Sequence, residues 1–176
     1  MQLLRIYSIT NKYFNDALKI YKNSFPEFEQ RTLESQIEVL NHNQYYCCVI
    51  LENNLLIGIL FYWKYEDYNY IEHFAILSNL RGQNYGSNIL KKFCENNSNT
   101  LLEIDPPIDD ISIKRLNFYS NLGFKLQEFE HIHPPYRKNY TGHKLKMMSF
   151  NKDLSIDEYN NFNNFLKTTV MKYTEY

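Results

Sequence analysis

The chain has 176 residues, 19 of them basic and 20 acidic, for a formal net charge of −1. That length suits one domain able to bury a full hydrophobic core without metals or disulfides. The two charge signs are mixed along the chain, so nothing drives general binding to nucleic acid or to an anionic membrane.

In chain order, Leu3 to Ile9 alternates enough to predict a first strand, and Asn11 to Ser24 carries Phe14, Ala17, Leu18, Ile20 and Tyr21 at helical spacing. Pro26 ends that helix. A second helical pattern runs from about Glu29 to Leu40. The strand Tyr45 to Glu52 then turns through Asn53-Asn54 into a hairpin partner, Leu55 to Tyr65. Next come the strand Tyr70 to Leu77, a loop, a helix from Ser87 to about Glu95, and the strand Thr100 to Ile104. A helix over Ile111 to Leu122 follows, then a strand from Phe124 to about His131 and another from His143 to Phe150. Ser155 to Val170 reads as an amphipathic helix, with Ser155 as N-cap and Glu158 completing a capping box. The asparagine clusters at 96–99 and 160–164 are compositional bias on a folded chain.

The most informative stretch is Leu80-Arg81-Gly82-Gln83-Asn84-Tyr85-Gly86-Ser87, which joins an apolar strand to a helix N-terminus. Such a loop aims several backbone N–H groups at one point and adds the positive end of the helix dipole, which suits a pyrophosphate. Gly82 and Gly86 keep the backbone open. Arg-x-x-x-x-Gly there resembles the acyl-CoA loop of the GNAT N-acetyltransferases, usually Gln/Arg-x-x-Gly-x-Gly/Ala, with Asn84 where the middle glycine is usual. Asparagine is the non-glycine residue that best tolerates a left-handed backbone. The segment Phe118-Tyr119-Ser120-Asn121-Leu122-Gly123-Phe124 resembles the family's second motif, in which a helix carries a tyrosine beside the thioester sulfur.

The resemblance covers roughly Met1 to Phe150 and implies an α/β fold of the GNAT type. That is a central mixed sheet with helices on both faces, residues 1–152 forming the acetyltransferase domain and 153–176 an added C-terminal helix packed on it. It implies acetyl-CoA as co-substrate, bound by Arg81, Gly82, Gln83, Asn84, Tyr85, Gly86 and Ser87 and by free backbone groups of Phe74, Ala75 and Ile76, where the strand diverges from its neighbour. An N–H near Ile76 would polarise the thioester oxygen. Tyr119 is the candidate general acid for the departing thiolate; its competing reading is a core tyrosine, one of sixteen.

Glu72 is the candidate base, on the face of Ile76 if the strand is regular, a relation that a bulge would alter. Glu103 and Asp105 compete for that role, and Glu29 could line the amine's entrance. His73 should point away from Glu72 by strand alternation and pack neutral against a helix. His131, His133 and His143 fit no standard zinc spacing, so no metal is expected. The three cysteines, Cys47, Cys48 and Cys94, have no Cys-x-x-Cys spacing and read as reduced core residues.

The expected activity is direct transfer of an acetyl group to a primary amine of a small molecule or peptide. The resemblance implies an acceptor pocket built from the least regular segments, here near Ser24 to Arg31 and His131 to His143, and the acidic set Glu27, Glu29, Glu72 and Asp105 favours a cationic acceptor. The alternatives are a GNAT-fold protein that binds or senses acyl-CoA without transferring it, and an interaction domain with a fortuitous loop. The start of the chain lacks a secretion signal and no run approaches the ~18 apolar residues of a membrane span, so the expected location is the cytoplasm. A homodimer is left open.

Overall fold

The structure, a computed structural model, describes residues Met1 to Glu175. Its strands are β1 (Gln2–Ile6), β2 (Tyr45–Glu52), β3 (Leu55–Tyr65), β4 (Tyr68–Ile76), β5 (Thr100–Ile104), β6 (Phe124–Leu126), β7 (His131–His133) and β8 (His143–Phe150). They form one mixed sheet in the order β1-β2-β3-β4-β5-β8-β6, with β7 pairing β8. The helices are α1 (Phe14–Ser24), α2 (Leu33–Val39), α3 (Tyr85–Asn96), α4 (Asp110–Ser120) and α5 (Ile156–Thr168).

Strand alternation sorts the apolar side chains onto two faces. In β2, Tyr45, Cys47, Val49 and Leu51 join a core shared with α1, α2 and α5, whereas Cys48 and Ile50 join one shared with α3 and α4. Both faces of the central strands are therefore covered, which explains the near-continuous apolar run of β2 and β3. Tyr159, Phe162 and Leu166 of α5 lie in the first of these cores, so that helix has no core of its own.

The local signals for turns and caps hold. Asn53 and Asn54 take φ of 50° and 64° in the β2–β3 hairpin, Ser155 and Glu158 form the capping box of α5, and Gly123, at φ +98°, turns α4 into β6. Two expected elements differ. The second helix does not begin near Glu29: Pro26 is followed by a single 3₁₀ turn, Glu27–Glu29, and α2 starts only after Thr32, whose side chain caps Ser35. The strand expected over 124–131 is two short ones, β6 and β7, both paired with β8; just past β6 the Gln127 N–H still donates to the Met147 carbonyl at 2.9 Å, and its side chain bonds Ser149 Oγ and the Leu154 N–H.

The sheet is deformed in two places near its centre. β4 pairs with β3 along its length but with a bulge, Phe61 facing His73 and Tyr62 facing Ile71, so that Glu72 is the extra residue. The parallel ladder of β4 with β5 covers only Asn69–Ile71 against Thr100–Leu102. Beyond it the two strands splay and leave a wedge.

Candidate active site

A cleft of about 780 Å³ occupies the wedge and runs from the start of α3 to the 3₁₀ turn that carries Glu29. At one end lies the 80–87 loop. Asn84 is left-handed, φ 62°, and makes no side-chain cap; Gly82 is also left-handed at φ 77°. The first bond within α3 runs from Asn88 N–H to the Asn84 carbonyl, so the N–H groups of Tyr85, Gly86 and Ser87 have no acceptor inside the helix. Three donors at a helix N-terminus fit a pyrophosphate. A Cβ on Gly86 would meet Phe118, Ile76 and Phe74 at 3.5–3.6 Å, contact distance, so anything bulkier there must project into the cleft.

The remaining loop side chains are tied locally. Arg81 Nε–H bonds the Ile76 carbonyl at 3.1 Å and Gln83 Nε2 bonds the Asn79 carbonyl at 3.2 Å. Along β4, the Leu77 N–H donates to the Ile57 carbonyl at 2.9 Å. Antiparallel alternation then turns the backbone groups of Ala75 toward β3 and those of Phe74 and Ile76 into the wedge. Ala75 was expected to offer backbone groups as well; this alternation turns them toward β3 instead, and its side chain joins the core on the α1/α5 face.

Tyr119 lines the cleft, held edge-on by Phe118 and Phe124 with ring centroids 5.1 and 5.7 Å away. Burial pushes its phenol up to about 12, with Arg115 opposing, and no hydrogen bond contributes. The hydroxyl is thus protonated at neutral pH and free to donate.

The acidic residues fall into different environments. Glu72 was expected to share a face with Ile76 and serve as base. The bulge instead puts its side chain on the α1/α5 face, where Oε1 pairs with Arg31 Nη1 at 2.7 Å, both side chains fully buried. Trp63 Nε1–H donates to its other oxygen at 2.9 Å and Tyr136 O–H to Oε1 at 2.8 Å. Burial favours the neutral acid, but Arg31 and these donors prevail and hold the carboxyl below its ordinary range. A carboxylate neutralised by a buried guanidinium and already taken up by two further donors is a poor base for an incoming amine, which argues against that role for Glu72. Arg31 also binds the carbonyls of Val170 and Tyr173, each at 3.0 Å, tying the segment after α5 to this wall.

The same bulge corrects His73, which shares the face of Glu72, its Nδ1 3.9 Å from Oε2. It packs against Tyr21 and Phe25 of the α1 end, both at 4.7 Å. Burial, only partly opposed by Glu72, pushes its imidazole down to about 4.

Glu103 is bonded by His131 Nε2 and Tyr70 O–H, with His133 Nε2 3.8 Å away. These partners overcome burial and hold it at about 2. Asp105 pairs with Arg115 at the rim. Glu29 differs from all three. Its backbone carbonyl is anchored by His73 Nε2–H at 2.9 Å, but its carboxyl has no ion pair or hydrogen bond among the described residues, and burial, reinforced by Asp105, pushes it up to about 7. His143, stacked edge-on against Phe28 at 5.5 Å, completes this end; burial and His133 push it down.

The acceptor end is lined, as expected, from the segments 24–31 and 131–143, among them Phe28 and Tyr136; sequence reasoning did not single out Arg31 as a buried structural cation, and no spacing signals one. The cysteines are free and buried, with none lining the cleft. Among the described residues no group of three His, Cys, Asp or Glu is arranged to hold a metal, and no helix is long and apolar enough to cross a membrane.

Residues 43–126 match the acetyltransferase (GNAT) domain family. A protein from Bacteroides thetaiotaomicron placed in the GNAT acetyltransferases superposes with a TM-score of 0.90 at 27% identity, covering 97% of this chain and 98% of that one. Two more distant structures share the fold. A spermidine N-acetyltransferase variant from Vibrio cholerae has a TM-score of 0.62 at 12% identity, covering 85% and 94% of the two chains. A Bacillus subtilis acetyltransferase in complex with CoA has a TM-score of 0.56 at 14% identity, covering 85% and 97%. No curated protein matches by sequence.

Proposed function

Because residues 43–126 match the GNAT acetyltransferase domain and the whole chain superposes on a structure placed in that family, we propose that it moves the acetyl group of acetyl-CoA to a primary amine of a small molecule or peptide, with both substrates in the cleft together. The observation that carries the reading is the continuity of that cleft. It joins the free N–H groups of the α3 start, the wedge-facing backbone of Phe74 and Ile76, the Tyr119 hydroxyl and an acidic, aromatic end within one space.

The residues divide the work by their chemistry. The N–H groups of Tyr85, Gly86 and Ser87 bind the pyrophosphate, and the β4 backbone in the wedge aligns the pantetheine arm. Acetyl-CoA supplies the activated acyl group as a thioester. The Ile76 N–H points into the wedge and polarises the thioester oxygen. Tyr119 donates its proton toward the sulfur as the C–S bond breaks. Direct transfer is supported by the thiols: burial pushes Cys48 and Cys94 up to about 12 and Cys47 above its ordinary value, so none is a ready nucleophile.

The test is release of coenzyme A thiol from acetyl-CoA across an amine library. Release stimulated by particular amines, with an acetylated product of matching mass, is the expected result. Stabilisation by coenzyme A without stimulation by any amine would make the protein a binder or sensor.

A further inference from the structure

We propose that Glu29 is the catalytic carboxylate that receives the acceptor as an ammonium ion and removes its proton, which makes the substrate class an alkyl amine that is cationic at neutral pH. This rests on the acetyltransferase reading above and assigns the base that the reading lacks.

The argument is one of elimination by partners. Four carboxylates line the cleft: Glu29, Glu72, Glu103 and Asp105. Arg31 neutralises Glu72, His131 and Tyr70 satisfy Glu103, and Arg115 neutralises Asp105. Glu29 alone has a carboxyl with no partner among the described residues. It is also well placed. The 3₁₀ turn is fastened to the β4 bulge through its own carbonyl, accepting from His73 Nε2–H. Phe28, its neighbour, closes against His143 and Tyr140 across the cleft, so the turn is a fixed wall.

The groups facing Glu29 explain its behaviour. Burial is the main cause that disfavours its charged form; Asp105, just past β5, and Glu103 of β5 add to it, and Arg115 of α4 opposes them. On the remaining sides His73 of β4 and His143 of β8 are held neutral by burial, and His133 of β7 leans toward Glu103. An unpaired carboxyl in acidic surroundings gains most from a cation, and a proton acceptor poised near neutrality suits general base catalysis. The proton balance closes. R–NH3⁺ gives one proton to Glu29, and the freed lone pair forms the C–N bond. The second nitrogen proton reprotonates Tyr119, whose own proton leaves on the sulfur, and Glu29 returns its proton to solvent.

The decisive comparison is wild type against Glu29→Gln, with His143→Asn as a control, in kcat/KM for the amine from pH 5.5 to 9 at saturating acetyl-CoA. Glu29→Gln should lose ~10²–10⁴-fold and its limb near pH 7 while the KM for acetyl-CoA stays unchanged; His143→Asn should keep the limb. Retention of rate and limb in Glu29→Gln, or transfer of both effects to His143→Asn, overturns the proposal. A readout independent of turnover is ¹³C NMR of glutamate-labelled protein with 1,4-diaminobutane as probe. One carboxyl should titrate near 7, vanish in Glu29→Gln and shift downward with the diamine. A normal titration, or no response to the diamine, refutes Glu29 as the ammonium site; both positive results without turnover would refute only the acetyltransferase reading.

Discussion

Replacing Glu72 by glutamine should cost stability far more than chemistry. The substitution keeps the shape but removes the charge opposite Arg31, whose side chain is fully buried. Removing one partner of a buried pair costs about 3–5 kcal/mol, because the remaining charge stays out of water. For a chain of this size that corresponds to a fall in Tm of roughly 6–20 °C. Arg31→Met should be similarly damaging. The double variant should recover part of the loss, with a coupling of about 2–3 kcal/mol. Recovery stays incomplete because the carbonyls of Val170 and Tyr173 lose their donor. The sign with pH is fixed. Glu72 is held below its ordinary value when folded, so its stabilisation is present above the unfolded pKa near 4.5 and is lost as pH falls through the folded value. Thermal melts of the four proteins at pH 7 and pH 4 read this directly, and the gap between wild type and Glu72→Gln should narrow at pH 4. An unchanged Tm at pH 7 accompanied by a collapse of amine-dependent turnover would refute the reasoning and return Glu72 to the chemistry.

Tyr119→Phe should lower kcat by ~10²–10⁴-fold while the rise in Tm produced by coenzyme A persists; turnover near normal would remove the phenol from the mechanism. Asn84→Gly, at φ 62°, should be neutral or stabilising by up to about 1 kcal/mol, whereas Asn84→Val should cost about 1–2 kcal/mol, both read by urea unfolding. Glu29 carries the opposite linkage to Glu72. Its folded pKa is raised to about 7, so its contribution is fully present below the unfolded value near 4.5 and is lost as pH rises through 7. Glu29→Gln should therefore gain about 1–3 kcal/mol at pH 8 and little at pH 4.5, discounted for partial exposure; equal effects at both pH values would contradict the linkage.

Much of the fold was legible in local patterns. The apolar alternation of β2 and β3, the Asn53-Asn54 turn, the Ser155 capping box and the left-handed Asn84 are each set by neighbours a few residues away. The 80–87 loop belongs to the same class. The segments of the acceptor end were legible, but the partners of its acidic residues were not, because they depend on one inserted residue in β4. A bulge reverses the face of every side chain on one side of it, and nothing in Tyr70-Ile71-Glu72-His73 marks where it falls. The fate of each carboxylate likewise hinges on distant partners, Arg31 for Glu72 and His131 for Glu103, that no spacing brings together.

The clamp around Arg31 also has a bearing on the order in which the molecule assembles. Its guanidinium reaches carbonyls 139 and 142 residues further along the chain, and closing so long a loop comes late in folding. Until then the guanidinium has Glu72 as its charge partner but lacks acceptors for two of its nitrogens, so full burial of this wall waits for the end of the chain. The hairpin β2–β3 and the loop before α3 need no such wait. The 80–87 loop would thus be in place before the wall around Arg31 is complete, and the segment after α5 would be the last part of that wall to close.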